Sequence, residues 1–252
     1  MAAVTAVCPI CGGTGWKIIE RGGLSGAEPC ACAGEARAGA LKEGSGIPPN
    51  FVRAALNNVV IPHDNPIAAE KLGRAKILIN GFLREFPAVD HPGLLLAGDT
   101  GCGKTHLAVA ALKALIDKGH EGKFFDYQNL LDRIRSSYDK ASGSGDREAY
   151  SSAMECGVLL LDDLGSHRVT EWVEDIVTSI ITYRYNHRKP IIVTTNLDPK
   201  GTALAYVTEG GKEVTKKSLP EVIGLRASSR LDEMCRYVNL FGVADYRTKH
   251  AR

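Results

Sequence analysis

The sequence lacks the features that would direct it into or across a membrane. It has no apolar run long enough to span a bilayer. Its first residues, MAAVTAVCPICGG, have neither the basic start nor the sustained apolar stretch of a secretory signal. It also lacks an excess of charge, because 31 Lys and Arg stand against 29 Asp and Glu, for a net charge of +2. We therefore expect a cytoplasmic protein with no membrane partner, in which any nucleic-acid surface is a local patch.

The composition is otherwise that of a globular protein of ordinary size. The chain has 252 residues, of which 44% are hydrophobic and 24% are charged, enough for one large core and a small appendage. We expect a cysteine-rich segment over residues 1–46, ending in an Ala- and Gly-rich linker at about residues 33–46. Residues 47–252 are then expected to form the main domain.

The most informative motif occupies residues 93–108, GLLLAGDTGCGKTHLA. An apolar strand leads into a loop of the phosphate-binding pattern G-x-x-x-x-G-K-[ST], and the loop opens a helix, which an ordinary glycine-rich turn would not explain. Such a loop wraps its N–H groups around a phosphate. Lys104 is expected to reach the β- and γ-phosphates, and the Thr105 hydroxyl to hold Mg²⁺. We expect nucleotide contacts from the whole loop, namely Gly98, Asp99, Thr100, Gly101, Cys102, Gly103, Lys104, Thr105 and His106.

Two further strands end in polar residues. Residues 157–165 read GVLLLDDLG, and residues 190–196 read PIIVTTN. Ligands bind outside the carboxyl ends of strands in open α/β sheets, so Asp162 is placed to hold Mg²⁺. Asp163 stands where many ATPases with this phosphate-binding loop carry the glutamate that orients the attacking water. The aspartate side chain is one methylene shorter than that of glutamate. Asn196 is expected beside the γ-phosphate.

Strands alternate with helices along the chain, which predicts a parallel sheet and an α/β fold. A helix over about residues 67–86 and a short one near residues 51–56 precede the core, and polar loops are expected near residues 145 and 210. The predicted core strands are 93–98, 123–127, 157–162, 190–195 and 236–241, and the predicted helices are 103–118, 128–138, 146–155, 170–186 and 219–234.

Four of the seven cysteines stand near the start, as Cys8-x-x-Cys11 and Cys30-x-Cys32. Two short-spaced pairs separated by a glycine-bearing loop can supply four sulfurs to tetrahedral zinc. Surface thiols and an iron–sulfur cluster are the alternatives. The segment is poor in large apolar residues, so we expect the metal to supply its stability.

Taken together, these motifs resemble the DnaC/DnaI helicase loaders, ATPases of the AAA+ superfamily. The phosphate loop continues as GKTHLA, the acidic strand ends in DDLG, residues 47–51 read IPPNF, and CPICGGTGW is similar to a cysteine knuckle of some loaders. The resemblance implies a P-loop NTPase of AAA+ type without a C-terminal lid. Its five-stranded parallel sheet would have the order 5-1-4-3-2. It also implies ATP, Mg²⁺ and Zn²⁺ as the bound groups.

The resemblance further assigns three arginines. LRASSRLDEMC, residues 225–235, is similar to the segment that holds the arginine finger. By that match Arg230 is the finger, with Arg226 as its neighbour. Arg247, in the sequence DYR, would be a second γ-phosphate sensor. A planar guanidinium suits the charge of a phosphoryl-transfer transition state better than an ammonium does.

The function that the resemblance implies is ATP-dependent loading of a replicative helicase. The chain would assemble head to tail on single-stranded DNA, grip the helicase with its zinc segment and hydrolyse ATP at subunit interfaces. An IstB-type transposition helper, a small-molecule kinase and a nucleotide-switched DNA-binding adaptor with little turnover are the alternatives. The candidate DNA contacts are Arg133, Arg135, Tyr138 and Lys140, although such residues are more typical of a solvated helix face.

Overall fold

The computed structural model describes residues 8–12, 14–21, 24–136, 145–166, 170–201, 205–207, 213–215 and 217–246. A five-stranded sheet forms its centre, with helices on both faces. The elements in chain order are β1 (Trp16–Arg21), β2 (Leu24–Pro29), α1 (Ala31–Glu43), α2 (Pro66–Glu85), β3 (Gly93–Gly98), α3 (Lys104–Asp117), β4 (Gly122–Asp126), α4 (Tyr127–Ser136), α5 (Gly145–Glu155), β5 (Val158–Asp162), α6 (Glu171–Asn186), β6 (Ile191–Thr195), β7 (Ala205–Val207), β8 (Glu213–Thr215), α7 (Leu219–Ile223), α8 (Leu225–Met234) and β9 (Cys235–Leu240).

The central sheet has the order β4-β5-β6-β3-β9, and every neighbouring pair in it is parallel. Numbered along the chain as five core strands, and read from the other edge, this order is 5-1-4-3-2, so the predicted topology is confirmed. Strand β6 lies between β3 and β5. The carboxyl ends of the phosphate-loop strand and the acidic strand therefore meet across β6 at one edge of the sheet.

Two apolar clusters hold the helices onto the sheet. Because side chains alternate along a strand, Leu94 and Leu96 of β3 pack toward α2 and α3, while Leu95 packs toward α4 to α8. Helix α3 is apolar on most sides and is buried along most of its length. A helix of that kind belongs inside a domain, which fixes the phosphate loop at its start between two packed elements.

The expected linker at residues 33–46 is wrong, because α1 runs through most of it. Alanine is the strongest helix former, and α1 is alanine-rich, but it buries no residue and has no amphipathic pattern that would have announced it. It is also tied to the core. Lys42 forms an ion pair with Asp117 at the end of α3, and the Phe124 N–H of edge strand β4 donates to the Ser45 carbonyl at 2.7 Å.

Other predicted boundaries also need correction. The short helix at residues 51–56 is instead two 3-10 turns, Pro49–Phe51 and Leu56–Asn58. The helix at 219–234 is broken into α7 and α8 by Gly224, whose φ of +81° a helix cannot contain. The loop near residue 210 carries the paired strands β7 and β8. The loop near residue 145 is described only from the start of α5 onward. Among the described helices, none combines the length and apolarity needed to cross a membrane.

Candidate nucleotide-binding site

The loop between β3 and α3 has the geometry of an anion-binding turn. Gly101 and Gly103 have φ values of +73° and +95°, a region that residues with a Cβ rarely adopt. Gly103 caps α3, so the unpaired N–H groups and the positive end of the helix dipole face the loop. The buried Lys104 ammonium donates to the carbonyl oxygens of Gly98 and Asp99 at 3.0 and 2.7 Å. The loop thus brings a cation and helix N–H groups to one point.

The acidic strand end meets the start of α3. The Thr105 hydroxyl donates to Oδ2 of Asp162 at 3.3 Å, and the Thr194 hydroxyl donates to Oδ1 at 2.6 Å. Burial raises the pKa of Asp162. The two hydroxyl bonds oppose that shift, and the charges of Asp163 and Asp126 add to it. A hard divalent cation prefers oxygen ligands of this kind, and its charge would offset the burial of the carboxylate. Thr105 and Asp162 therefore fit the predicted Mg²⁺ ligands.

Asp163 and Asn196 lie in direct contact just beyond the strands. Asp163 has a φ of +59°, and its Oδ1 accepts a hydrogen bond of 2.8 Å from Nδ2 of Asn196. Its backbone N–H donates to the Thr194 hydroxyl at 2.8 Å. The Thr194 hydroxyl therefore links Asp162 and Asp163. Sequence reasoning did not identify Thr194 as a site residue. It stands in the TTN segment, but threonine is common at strand ends and gave no specific signal.

A cavity of about 540 Å³ opens beside the phosphate loop. Its walls come from three segments: the stretch before α2, the loop with the start of α3, and the stretch after β9. The His106 ring belongs to the wall, with Nε2 at 2.8 Å from Oδ1 of Asn58. Sequence reasoning missed most of the other wall residues because they form no motif; they include Val59, Ile61, His63, Leu72 and Val243, while Tyr246 stands in the DYR segment. A largely apolar slot beside an anion site fits a planar base.

The stretch after β9 is fastened to the phosphate loop. The Gly242 N–H donates to Oδ2 of Asp99 at 2.8 Å, and the Tyr246 N–H donates to the Gly101 carbonyl at 3.1 Å. A Cβ on Gly101 would lie 1.8 Å from a carboxylate oxygen of Asp245, so a side chain at this position would displace that carboxylate. Arg247, the predicted second sensor, lies outside the described residues.

The other two predicted arginines lie on α8. Arg226 is exposed, and Arg230 is half-buried. Nη1 of Arg230 donates to the Arg226 carbonyl at 3.0 Å, and its guanidinium carbon lies 5.7 Å from the ring centroid of Tyr185. Neither arginine lines the cavity beside the phosphate loop. The fold brings Lys104, Thr105, Asp162, Asp163 and Asn196 together at the carboxyl ends of the strands. Arg230 instead lies against Tyr185, which stands shortly before the amino end of β6.

The four front cysteines form one cluster. The sulfurs of Cys8, Cys11, Cys30 and Cys32 all lie within 4.8 Å of one another, with Cys8–Cys30 at 3.8 Å and Cys11–Cys32 at 3.2 Å. Tetrahedral zinc with Zn–S bonds of about 2.3 Å requires sulfur separations of about 3.8 Å. Backbone N–H groups of Cys11 and Ile10 lower the pKa of Cys8, whereas the neighbouring cysteine side chains raise the pKa of Cys32. The cluster fits a zinc ion.

Two of the four candidate DNA contacts lie on α4 against aromatic rings. The guanidinium of Arg135 lies 4.9 Å from the ring centroid of Trp172, and that of Arg133 lies 6.0 Å from Phe125. Tyr138 and Lys140 lie outside the described residues. Arginine and aromatic side chains in this arrangement are the groups that contact phosphates and stack on unpaired bases.

Comparison with known proteins identifies the family of the chain. The model of the IstB-like ATP binding protein family matches residues 88–201. A crystal structure of the DnaC helicase loader is 31% identical, with a TM-score of 0.60, and the match covers 77% of this chain and 99% of that one. The replicative helicase loader DnaI of Bacillus subtilis is 26% identical over 145 residues, 56% of this chain and 46% of DnaI. An ATP-binding protein of an insertion sequence in Mycobacterium tuberculosis is 25% identical over 170 residues, 59% of this chain and 66% of that protein.

The chain belongs to the IstB/DnaC-like family of AAA+ ATP-binding proteins. The resemblance predicted from GKTHLA, DDLG and the front cysteines is therefore confirmed, as is the α/β P-loop fold. The chain spans about half the length of the curated relatives it matches.

Proposed function

We propose that the protein is an ATP-dependent loader that places a replicative helicase on single-stranded DNA. The observation that carries this proposal is the match to the DnaC helicase loader over 99% of that chain. The phosphate loop and the acidic strand end of the present chain adjoin at one sheet edge. A loader of this kind would act in the cytoplasm.

The ATP site follows from the contacts around the phosphate loop. In this proposal residues 98–106 bind the phosphates, with Lys104 turning from the Gly98 and Asp99 carbonyls to the β- and γ-phosphates. Thr105 and Asp162 would hold Mg²⁺, which supplies charge neutralisation on the phosphates. The cavity lined by Val59, Ile61 and Val243 would take the base. Arg247 would add a further positive charge at the γ-phosphate.

Hydrolysis requires a positioned water and additional positive charge. Asp163 and Asn196 hold one another at 2.8 Å, so a water at that pair would be oriented by a carboxylate and an amide. The positive charge would come from Arg230 of a neighbouring copy, with Arg226 beside it, because Arg230 lies against Tyr185 near the amino end of β6, while the acids stand at the carboxyl ends of the strands. This division of the site requires head-to-tail assembly, a heterologous interface in which each copy completes the next.

The same proposal gives DNA and the helicase separate surfaces. Arg133 and Arg135, with the aromatic rings beside them, would contact single-stranded DNA. Residues 1–46 would form a zinc-binding unit, held by Cys8, Cys11, Cys30 and Cys32, that grips the helicase. The ATPase domain would comprise residues 47–252.

Two other functions have specific observations in their favour. The IstB-like family match and the insertion-sequence relative favour a transposition helper. The aspartate at position 163, shorter than the usual glutamate and already bonded to Asn196, favours a nucleotide-switched DNA-binding adaptor with little turnover. The four-cysteine cluster favours the loader, since the transposition helpers that share these motifs generally lack it.

Capture experiments separate the three functions. The full chain is immobilised and offered purified replicative helicase or transposase of the same host, with and without ATP. A loader retains the helicase in an ATP-dependent manner and shows ATP hydrolysis stimulated by single-stranded DNA. Retention of the transposase alone would favour the helper. Helicase or DNA binding that responds to ATP without any hydrolysis would favour the adaptor.

A further inference from the structure

The guanidinium of Arg230 rests on an aromatic ring from another helix. Its Cζ lies 5.7 Å from the ring centroid of Tyr185 on α6, within the range of about 6 Å for a cation–π contact. Nη1 is tied to the Arg226 carbonyl, and Nε is buried with no hydrogen-bond partner in the described part of the chain. A ring covers one face of a guanidinium without occupying its donors, so in-plane donors remain available to an anion.

Tyr185 is itself held from both ends. Its ring is half-buried against the apolar cluster between the sheet and α6. Its hydroxyl donates to the carboxylate of Glu233, a bond that raises the pKa of Tyr185. Glu233 stands on α8 three residues after Arg230, and its carbonyl accepts a hydrogen bond from Nδ1 of His91 at 2.8 Å. The ring therefore has a fixed position relative to the helix that carries the arginine.

We propose that Tyr185 is a positioning residue that holds Arg230 ready for the nucleotide of a neighbouring copy. This inference rests on the proposed role of Arg230 in trans. A solvated arginine samples many rotamers, and ordering it at the moment of assembly opposes catalysis. A stacked guanidinium has already lost part of that freedom, while its planar fork can still meet a phosphate bidentately.

Three variants test the ring against its surroundings. Tyr185→Leu removes the aromatic face, and Tyr185→Phe keeps the face but removes the hydroxyl bond to Glu233. The matched control is Tyr183→Leu, which removes a ring from the same helix; that ring stacks on His187 at 4.1 Å. The measurements are ATP hydrolysis by the full chain with oligo(dT), ATP affinity and melting temperature.

We expect Tyr185→Leu to lower kcat by about 3- to 30-fold, the range that a cation–π contact corresponds to, with ATP affinity unchanged. Tyr185→Phe should retain most of the rate, and Tyr183→Leu should match the wild type. If Tyr185→Phe or Tyr183→Leu lowers kcat as much as Tyr185→Leu does, the ring does not position Arg230 and the proposal is wrong.

A double variant separates positioning from general packing. Tyr185→Leu is added to either partner of an equal mixture of Arg230→Ala, which keeps the phosphate loop, and Lys104→Ala, which keeps the finger. If Tyr185 acts only through Arg230, it should lower the recovered rate when added to Lys104→Ala and cause no loss when added to Arg230→Ala. A loss in the second case overturns the inference. A loss with Arg230→Ala but none with Tyr185→Leu overturns the positioning role and leaves the finger standing. Normal hydrolysis by Arg230→Ala overturns the finger itself, and the positioning role with it.

Discussion

At the level of single residues, the Thr194 hydroxyl joins the two acids at the sheet edge. It donates to the Asp162 carboxylate at 2.6 Å and accepts from the Asp163 N–H at 2.8 Å. Asp162 is thereby supported from β6 on one side and from Thr105 on the other. These two hydrogen bonds hold the Asp162 carboxylate in place although its burial is unfavourable. Such a residue is typical of a functional site that costs the protein some stability.

Replacing Asp162 by asparagine should stabilise the nucleotide-free protein and remove its activity. The pKa of Asp162 is higher in the folded protein than in the unfolded chain. The contribution of protonated Asp162 to the free energy of unfolding is therefore complete at a pH below the pKa of the unfolded chain. That contribution is lost as the pH rises through the pKa of the folded protein. Asp162→Asn cannot ionise, so its melting temperature should exceed the wild type's more at pH 7 than near the ordinary pKa of about 4. Hydrolysis should fall by about 100-fold or more.

Thermal melts at the two pH values, with ATPase assays beside them, decide this. The exposed Asp132→Asn serves as the surface control. A lower melting temperature for Asp162→Asn at pH 7 would contradict the burial argument. Retained hydrolysis would contradict the assignment of Asp162 to Mg²⁺.

Lys104→Ala should abolish nucleotide binding or turnover while the core stays folded. The ammonium donates to the Gly98 and Asp99 carbonyls of the loop and contacts the Cys102 sulfur, so the substitution removes the cation of the phosphate loop. Lys118→Ala, at the other end of the helix, is the control. ATP affinity and melting temperature are measured for both, and unchanged hydrolysis by Lys104→Ala would refute the site.

At the level of elements, the sheet was predictable and the front of the chain was not. Strands β3 and β5 are short apolar runs followed by helical periodicity, so their type could be read from the residues. The order of the strands in the sheet followed from the resemblance. Helix α1 has no apolar stripe to reveal it. The hairpin of β1 and β2 adjoins the cysteine cluster, where the proposed zinc, rather than an apolar pattern, would order the chain.

The cavity wall formed by the stretch before α2 was missed for a related reason. Residues such as Val59, Ile61 and His63 lie in irregular backbone ahead of α2. The backbone path of such a segment decides what it lines, and neither periodicity nor a motif encodes that path. His106 is a motif residue that reaches this segment, through contacts with the Ala55 carbonyl and the Asn58 side chain.

The front elements should depend on zinc, while the core should not. We expect one zinc ion per chain, lost together with ordered structure over residues 8–43 when Cys11 is changed to serine. Cys156→Ala should keep its zinc, because Cys156 is buried in the apolar cluster that packs α4 to α8 against the sheet. Metal analysis and limited proteolysis check both variants. A zinc-free wild type with a protease-resistant front would show that the cluster is not a metal site.

At the level of the whole molecule, the proposed machinery is split between two surfaces. The phosphate loop, both acids and Asn196 share one sheet edge, whereas Arg230 lies on α8 against Tyr185. In the proposed mechanism, a single chain would therefore bind ATP without a finger of its own. The mechanism then requires that a second copy supply Arg230.

Mixing two inactive variants tests this dependence most directly. Arg230→Ala keeps the phosphate loop, and Lys104→Ala keeps the finger, so in an equal mixture about one head-to-tail interface in four should be intact. ATP hydrolysis is measured with single-stranded DNA for each variant alone and for the mixture. The account predicts negligible rates alone and about a quarter of the wild-type rate together. Normal hydrolysis by Arg230→Ala alone, or no recovery in a mixture whose subunits co-assemble, would contradict it.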